Sequence, residues 1–167
     1  MMYRLVSDFL HDWSHESEAT MKIFNTLTDE TLEQRVTPGG RSIKQIAWHI
    51  AISLPEMMSK AGLTMGPFVE KAPPDLTAAI IKSSYEIDSK KVADEVKEKW
   101  NDKALAEEVN MYGQMWSRGT VLAVLVNHQI HHRAQLTVLM RQAGLSVPGI
   151  YGPAKEEWAQ MGMPPQE

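Results

Sequence analysis

The chain has 167 residues, 43% of them hydrophobic and 23% charged, with a formal charge of −4 and no cysteine. That balance fits one globular domain and excludes a disordered tail. It also excludes disulfides, thiolate metal ligands and a protein thiol nucleophile.

Lysine and arginine are scattered, so no nucleic-acid footprint is expected. The apolar run 121–126 is far too short to cross a bilayer, and the N-terminus turns polar too early for a secretory signal. A cytoplasmic protein that does not enter the membrane is expected.

Residues 3 to about 26 place Leu5, Phe9, Leu10, Trp13, Met21 and Phe24 at roughly helical spacing, which reads as a first helix. Pro38, Gly39 and Gly40 interrupt the chain. The sequence from Ser42 to Gln45 then matches a capping box, in which the serine caps and the glutamine reaches back. A second helix therefore starts at about 42, with Ile43, Ile46, Ala47, Ile50, Leu54, Met57 and Met58 on one face and His49 beside that stripe.

Residues 61–74, with Gly62, Gly66, Pro67, Pro73 and Pro74, form a connection without periodicity, either a loop or a lid. Asp75 is suited to cap a third helix running to about Trp100, with Leu76, Ile80, Ile87, Val92 and Val96 facing inward. Residues 101–109 suggest a short helical turn, and 111–116 a loop or brief hairpin. The fourth helix runs from Ser117 or Arg118 through Leu122, Leu125, Leu136 and Leu139 and stops at Gly144, which suits the left-handed position after a helix end. Pro153 is placed to open a short C-terminal helix.

Four long amphipathic segments without an alternating strand pattern predict an all-α, four-helix bundle spanning 1–167. The Gly/Pro-rich connections are long enough for topologies other than up-down-up-down. TDETLEQRV (28–36) and NDKALAEEV (101–109) share Asp, Leu and Val in register, each ahead of a histidine-bearing helix. Two related helix pairs would produce this echo, and so would chance among helix-forming residues.

The segment NHQIHHRAQL (127–136) holds three of the six histidines within five positions. Helical residues four apart have Cβ atoms about 5–6 Å apart, near enough for two imidazoles to bind one ion. His128 and His132 have that spacing, with His131 an alternative partner for His128. Two ligands rarely hold a metal against water, and open sites usually take three. His49, at the core edge of a separate helix, is the best third.

His11 and His15 repeat the spacing but flank Ser14 and Glu16 in a polar stretch, and read as a solvated face. Asn127 and Gln135 are candidates to hydrogen-bond the second ring nitrogens of the ligands. Glu56, seven residues after His49 and on the same helical face, is a candidate acid or base, with a surface charge the plainer alternative. Trp48, Met57, Met58, Tyr112 and Trp116 are candidates for a pocket wall or for core. Arg133 reads as an ion-pair partner or loop anchor, and His131 as facing out.

SIKQIAWHIA (42–51) and NHQIHHRAQLTVLMRQAGLSVPGIYGP (127–153) resemble the motifs of the DinB-like superfamily of bacterial four-helix-bundle metalloproteins. The second is similar to that family's H-x-x-x-H-R-[GA]-Q-L segment and its Pro, Tyr-Gly-Pro exit. Ala134 stands where glycine is more frequent, a change that a helix tolerates.

The resemblance places ligand histidines at His49, His128 and His132. It implies a divalent ion in a cleft between helices, zinc or nickel first and iron also, and a homodimer. Three neutral imidazoles leave such an ion its full charge and open positions, as a catalyst requires. Gln129 stands where the helical zinc-protease motif has its general base and cannot take a proton, which argues against a protease.

The superfamily's enzymes imply transfer of a low-molecular-weight thiol to an electrophilic small molecule. The alternatives are a hydrolase using a metal-bound water and a non-catalytic, stress-associated binding protein steadied by its metal. No direct DNA binding is expected.

Overall fold

The structure, a computed structural model, describes residues 2–164. Helices α1 (Val6–Phe24), α2 (Ile43–Lys60), α3 (Ala78–Lys99) and α4 (Arg118–Gln142) carry the fold, with an antiparallel hairpin of β1 (Glu108–Met111) and β2 (Gln114–Ser117) just before α4. Among the described residues, no helix is long and apolar enough to cross a membrane.

The caps form where hydroxyl side chains can meet orphan amides. The Gln45 amide donates to Ser42 Oγ at 3.3 Å, and the Ser42 amide donates to Gln45 Oε1 at 3.0 Å, closing the expected box on α2. Helix α3 starts later than expected. Its cap is Thr77, whose Oγ1 accepts from the Ile80 amide at 3.2 Å, and not Asp75. Gly144 takes φ +76° after α4. Pro153 opens no helix, because the Glu157 carboxylate accepts from the Gly149 and Ala154 amides and folds the exit back on itself ahead of a single 3₁₀ turn, Trp158–Met161.

Each of α1 and α2 packs against both α3 and α4. Helices α1 and α2 therefore sit across one diagonal of the bundle and α3 and α4 across the other, the kind of topology the long connections permit. The inward face of α3 is Ile81, Tyr85, Val92 and Val96, while Ile80 and Ile87 are 43% and 66% exposed. The sparse apolar residues of α3 offer two seven-residue stripes. The large ring of Tyr85, edge-on to Phe24 at 5.3 Å, selects the other one.

Glu16 also departs from expectation, because it is buried. Arg133, 3% exposed, donates to the Glu16 carboxylate, to the Glu16 carbonyl at 3.0 Å, to Thr20 Oγ1 at 3.2 Å and to the Tyr151 hydroxyl at 2.8 Å. Tyr151 in turn donates to Glu16 Oε1 at 2.7 Å, so Arg133 anchors the C-terminal exit to α1. His11 and His15 lie on the exposed side of the same helix.

The echo between 28–36 and 101–109 has a structural counterpart. Asp29, after α1, accepts from the Ala78 amide that begins α3 (2.7 Å), and Asp102, after α3, accepts from the Val6 amide that begins α1 (2.8 Å). A carboxylate is the favoured partner for a helix N-terminus. Leu32 and Leu105, next in register, are both buried. Each helix pair thus caps the leading helix of the other.

Arg133→Met strands a buried carboxylate and is expected to cost about 3–5 kcal/mol in urea unfolding. Adding Glu16→Gln to that variant is expected to recover part of the loss.

Candidate metal centre

The apolar stripes of α2 and α4 meet in the core and bring the neighbouring imidazoles with them. Gln129, fully buried, sets the axial register of the two helices: its Nε2 donates to the Ile50 carbonyl at 3.3 Å and to Ser53 Oγ at 3.1 Å. Gln129 lies one residue from His128, and Ile50 and Ser53 lie one and four residues from His49. In sequence Gln129 stands out only as a missing base. Its clamping role has no signature beyond a polar residue between apolar ones.

His49 Nε2 and His128 Nε2 are 3.0 Å apart, and ring centroids are separated by 4.8 Å (His49 to His128), 4.6 Å (His49 to His132) and 4.4 Å (His128 to His132). One nitrogen from each ring lies within 4.8 Å of the others. Two nitrogens each about 2.0–2.1 Å from one zinc stand roughly 3 Å apart, so the His49–His128 pair already has the separation one divalent ion needs, and the third ring stands close beside it.

His132 Nδ1 donates to Gln135 Oε1 at 2.8 Å, which leaves its Nε2 lone pair free. Gln135 also donates to His131 Nε2 at 3.2 Å, while the ring of His131 is itself exposed. Asn127 does not take the matching role expected of it. One residue before His128 it is turned about 100° around the helix, and it faces solvent. His128 Nδ1 is buried without a protein partner among the described residues.

Burial, reinforced by His132 and Arg41, holds His49 down to about 4 from the usual 6.5. Burial, with the neighbouring rings and Arg41, brings His128 to about 4 as well. Burial lowers His132 too, against the opposing pull of Gln135. At neutral pH the rings therefore stand in the uncharged form that ligates metal.

Two clefts open on the rings. One, of about 320 Å³, is lined by Arg41, Lys44, Trp48, His49, Glu70 and Lys71 among others. The other, of about 450 Å³, has Ile52, Met57 and Val124 as apolar wall and holds Ser53, Glu56, Tyr112, Glu70, His49 and His128.

Trp48 thus lines a cleft, and its Nε1 donates to the Val69 carbonyl at 3.0 Å, bracing the connection against α2. Met58 is core. Glu56 is more than a surface charge: it accepts from the Tyr112 hydroxyl at 2.6 Å and pairs with Lys60 at 3.6 Å.

Tyr112 has φ +58° and Gly113 φ +87°, the signs that a two-residue hairpin turn demands. A bulky residue is costly in that conformation, and here it carries the phenol onto Glu56. Burial and the Glu56 carboxylate hold that phenol protonated. Trp116 packs against its ring at 6.1 Å. Arg41 and Glu70 escaped the sequence reading, since an isolated charge in a loop looks like any other.

The fold and the triad define a helical-bundle protein with three convergent imidazoles between two helices. The chain belongs to the DinB family, whose model matches residues 2–167. It is 43% identical over 162 residues to the uncharacterized protein YrdA of Bacillus subtilis (strain 168), with 97% of each chain covered.

A DinB-like protein from Bacillus cereus ATCC 10987 superposes with a TM-score of 0.85 at 38% identity, over 90% of this chain and 100% of the other. At 16% identity the fold alone is shared with YfiT from Bacillus subtilis, with a TM-score of 0.58 over 84% of this chain and 89% of that one. YfiT is described as a probable metal-dependent hydrolase with an unusual four-helix bundle topology.

With His49 and His128 held near 4 against 6.5, the unfolded chain binds more protons than the folded one between those values. Metal-free protein is therefore expected to keep this stabilisation above about pH 6.5 and to lose it as pH falls toward about 4. Urea midpoints across that range check the trend, and His49→Gln should flatten it.

Proposed function

We propose that His49, His128 and His132 bind one divalent ion, and that the protein is a metal-dependent enzyme of thiol-transferase type, joining a low-molecular-weight thiol to an electrophilic small molecule. The observation that carries this reading is the convergence of three neutral ring nitrogens, with no carboxylate or thiolate in the set, at the meeting point of two clefts. An all-imidazole set suits zinc, nickel or iron. When bound, such an ion supplies a Lewis-acidic centre that favours the ionised form of a thiol.

The chain's own residues do the remaining work. Gln129 holds α2 and α4 in register, and Gln135 turns the His132 Nε2 lone pair inward. Glu56, held by Tyr112, is an acid or base lining the apolar cleft. Having no cysteine, the chain must draw its sulfur from a diffusible thiol. The exposed Ile80 and Ile87 on α3 support a homodimer as part of the same reading.

A second reading, a hydrolase, is favoured by Glu56 beside the rings and by the description of YfiT. It differs in needing no thiol. A purely structural metal would call for a closed site, whereas here two clefts reach His49.

Elemental analysis of protein purified without chelator is expected to find about one divalent ion per chain and none in His128→Ala. Gln135→Ala should weaken metal affinity by roughly 10–100-fold. Metal-restored protein, assayed with a thiol panel and an electrophilic dye, is expected to turn over only when a thiol is present. Thiol-independent ester or amide cleavage would instead select the hydrolase.

A further inference from the structure

The two clefts that meet at His49 differ in charge. The one on the Arg41 side is lined by Arg35, Arg41, Lys44 and Lys71 against Glu33 and Glu70, a local excess of cations in a chain whose formal charge is −4. Two of those cations are tied down. Arg35 pairs with Glu33 at 3.3 Å and donates to the Gly40 carbonyl at 2.6 Å, and Lys44 pairs with Glu33 at 3.5 Å and donates to the Pro74 carbonyl at 3.2 Å.

Arg41 and Lys71 have no ion pair or side-chain hydrogen bond among the described residues, which leaves their donors for a ligand. Arg41 also borders a depression beside His132, and its charge bears on all three rings. A guanidinium presents a planar fork that matches carboxylate or phosphate oxygens.

The cleft on the other side is the reverse. Its wall is Ile52, Met57 and Val124, and its charged members are the carboxylates of Glu56 and Glu70. An acid group would meet no cation in that lining, where Glu56 is already paired with Lys60, and an uncharged apolar molecule would bury its surface. Glu70 and His49 line both clefts, so Glu70 stands on the divide, on the segment that Trp48 fastens through the Val69 carbonyl.

We infer that the site is bipartite: a thiol bearing an acid group docks against Arg41 and Lys71, an uncharged apolar electrophile docks against Ile52, Met57 and Val124, and the two meet at His49. This rests on the thiol-transferase reading and adds to it the class and the seat of each reactant. In the joining step the thiol gives its proton to solvent. The sulfur electron pair then forms the bond to the electrophilic carbon as the leaving group departs with its own pair, so no oxidant or reductant is consumed.

The test uses cobalt-loaded protein titrated with mercaptosuccinate (anionic), 2-mercaptoethanol (neutral) and cysteamine (cationic), read by the sulfur-to-cobalt absorption band. Mercaptosuccinate is expected to bind at least about tenfold more tightly than mercaptoethanol, and cysteamine more weakly than either. Arg41→Glu with Lys71→Glu should abolish the preference. The milder Arg41→Gln with Lys71→Gln should reduce it and covers a failure of the charge-reversed variant to fold.

Loss of mercaptosuccinate binding on adding inorganic phosphate but not acetate would assign the acid group as phosphate, and the reverse as carboxylate. Val124→Trp should raise KM for the apolar electrophile and leave the mercaptosuccinate titration unchanged. Equal affinity for the three thiols, or a preference that survives both cation variants, would overturn the bipartite site and leave the metal reading intact. Failure of the unsubstituted protein to take up cobalt would overturn both.

Discussion

Confinement of three imidazoles between α2 and α4, His132 buried and His49 and His128 half-buried, is the constraint on which the rest of the structure depends. A buried ring needs partners for its nitrogens and resists carrying charge. Ordinary helix packing would leave these groups poorly satisfied. His49 and His128 turn their Nε2 atoms toward one another, and His132 is fixed by Gln135. The Gln129 clamp holds the helices at the level where this is geometrically open to them. Desolvation, which makes the cluster awkward as core, also keeps it unprotonated at neutral pH and so ready for a cation.

Division of labour follows from which parts of the chain are rigid. Helices supply the ring nitrogens, the apolar wall and Glu56, and loops add Arg41, Glu70, Lys71 and Tyr112 around them, as is common where a stiff scaffold presents variable segments. Trp48 holds one loop by a single hydrogen bond to Val69. The β1–β2 turn carries another group inward at the cost of a tyrosine in a left-handed conformation. A cationic rim and an apolar, acidic one are thereby set on opposite sides of His49.

The convergence of the three rings was legible in the sequence because a helix converts spacing into direction. His128 and His132, four residues apart, had to share a face, and the capping box at Ser42 fixed where α2 began and hence where His49 would lie. Ser42 and Gly144 read correctly for the same reason, each being tied to one local backbone geometry.

What failed were statements about facing. Ile80 and Ile87 form a valid stripe on α3, and only the tertiary partner of Tyr85 decides against it. Glu16 looked solvated among polar neighbours because its cation lies more than a hundred residues away on α4. Asn127 adjoins His128 in sequence, and adjacency on a helix means divergence. Arg41, Glu70 and the contact of Tyr112 with Glu56 depend on loop paths that no periodicity encodes.

The reciprocal caps, Asp29 on α3 and Asp102 on α1, belong to an interleaved architecture with a consequence for synthesis. Neither α1 with α2 nor α3 with α4 is a packed pair, and every major helix contact joins one half of the chain to the other. While the ribosome is still making α3, the stripe of Ile43, Ile50 and Leu54 has nowhere to go. Closure over such long separations is slow compared with local zippering. The nascent first half must therefore wait with its apolar surface uncovered, and the three histidines converge only after the last helix has left the exit tunnel.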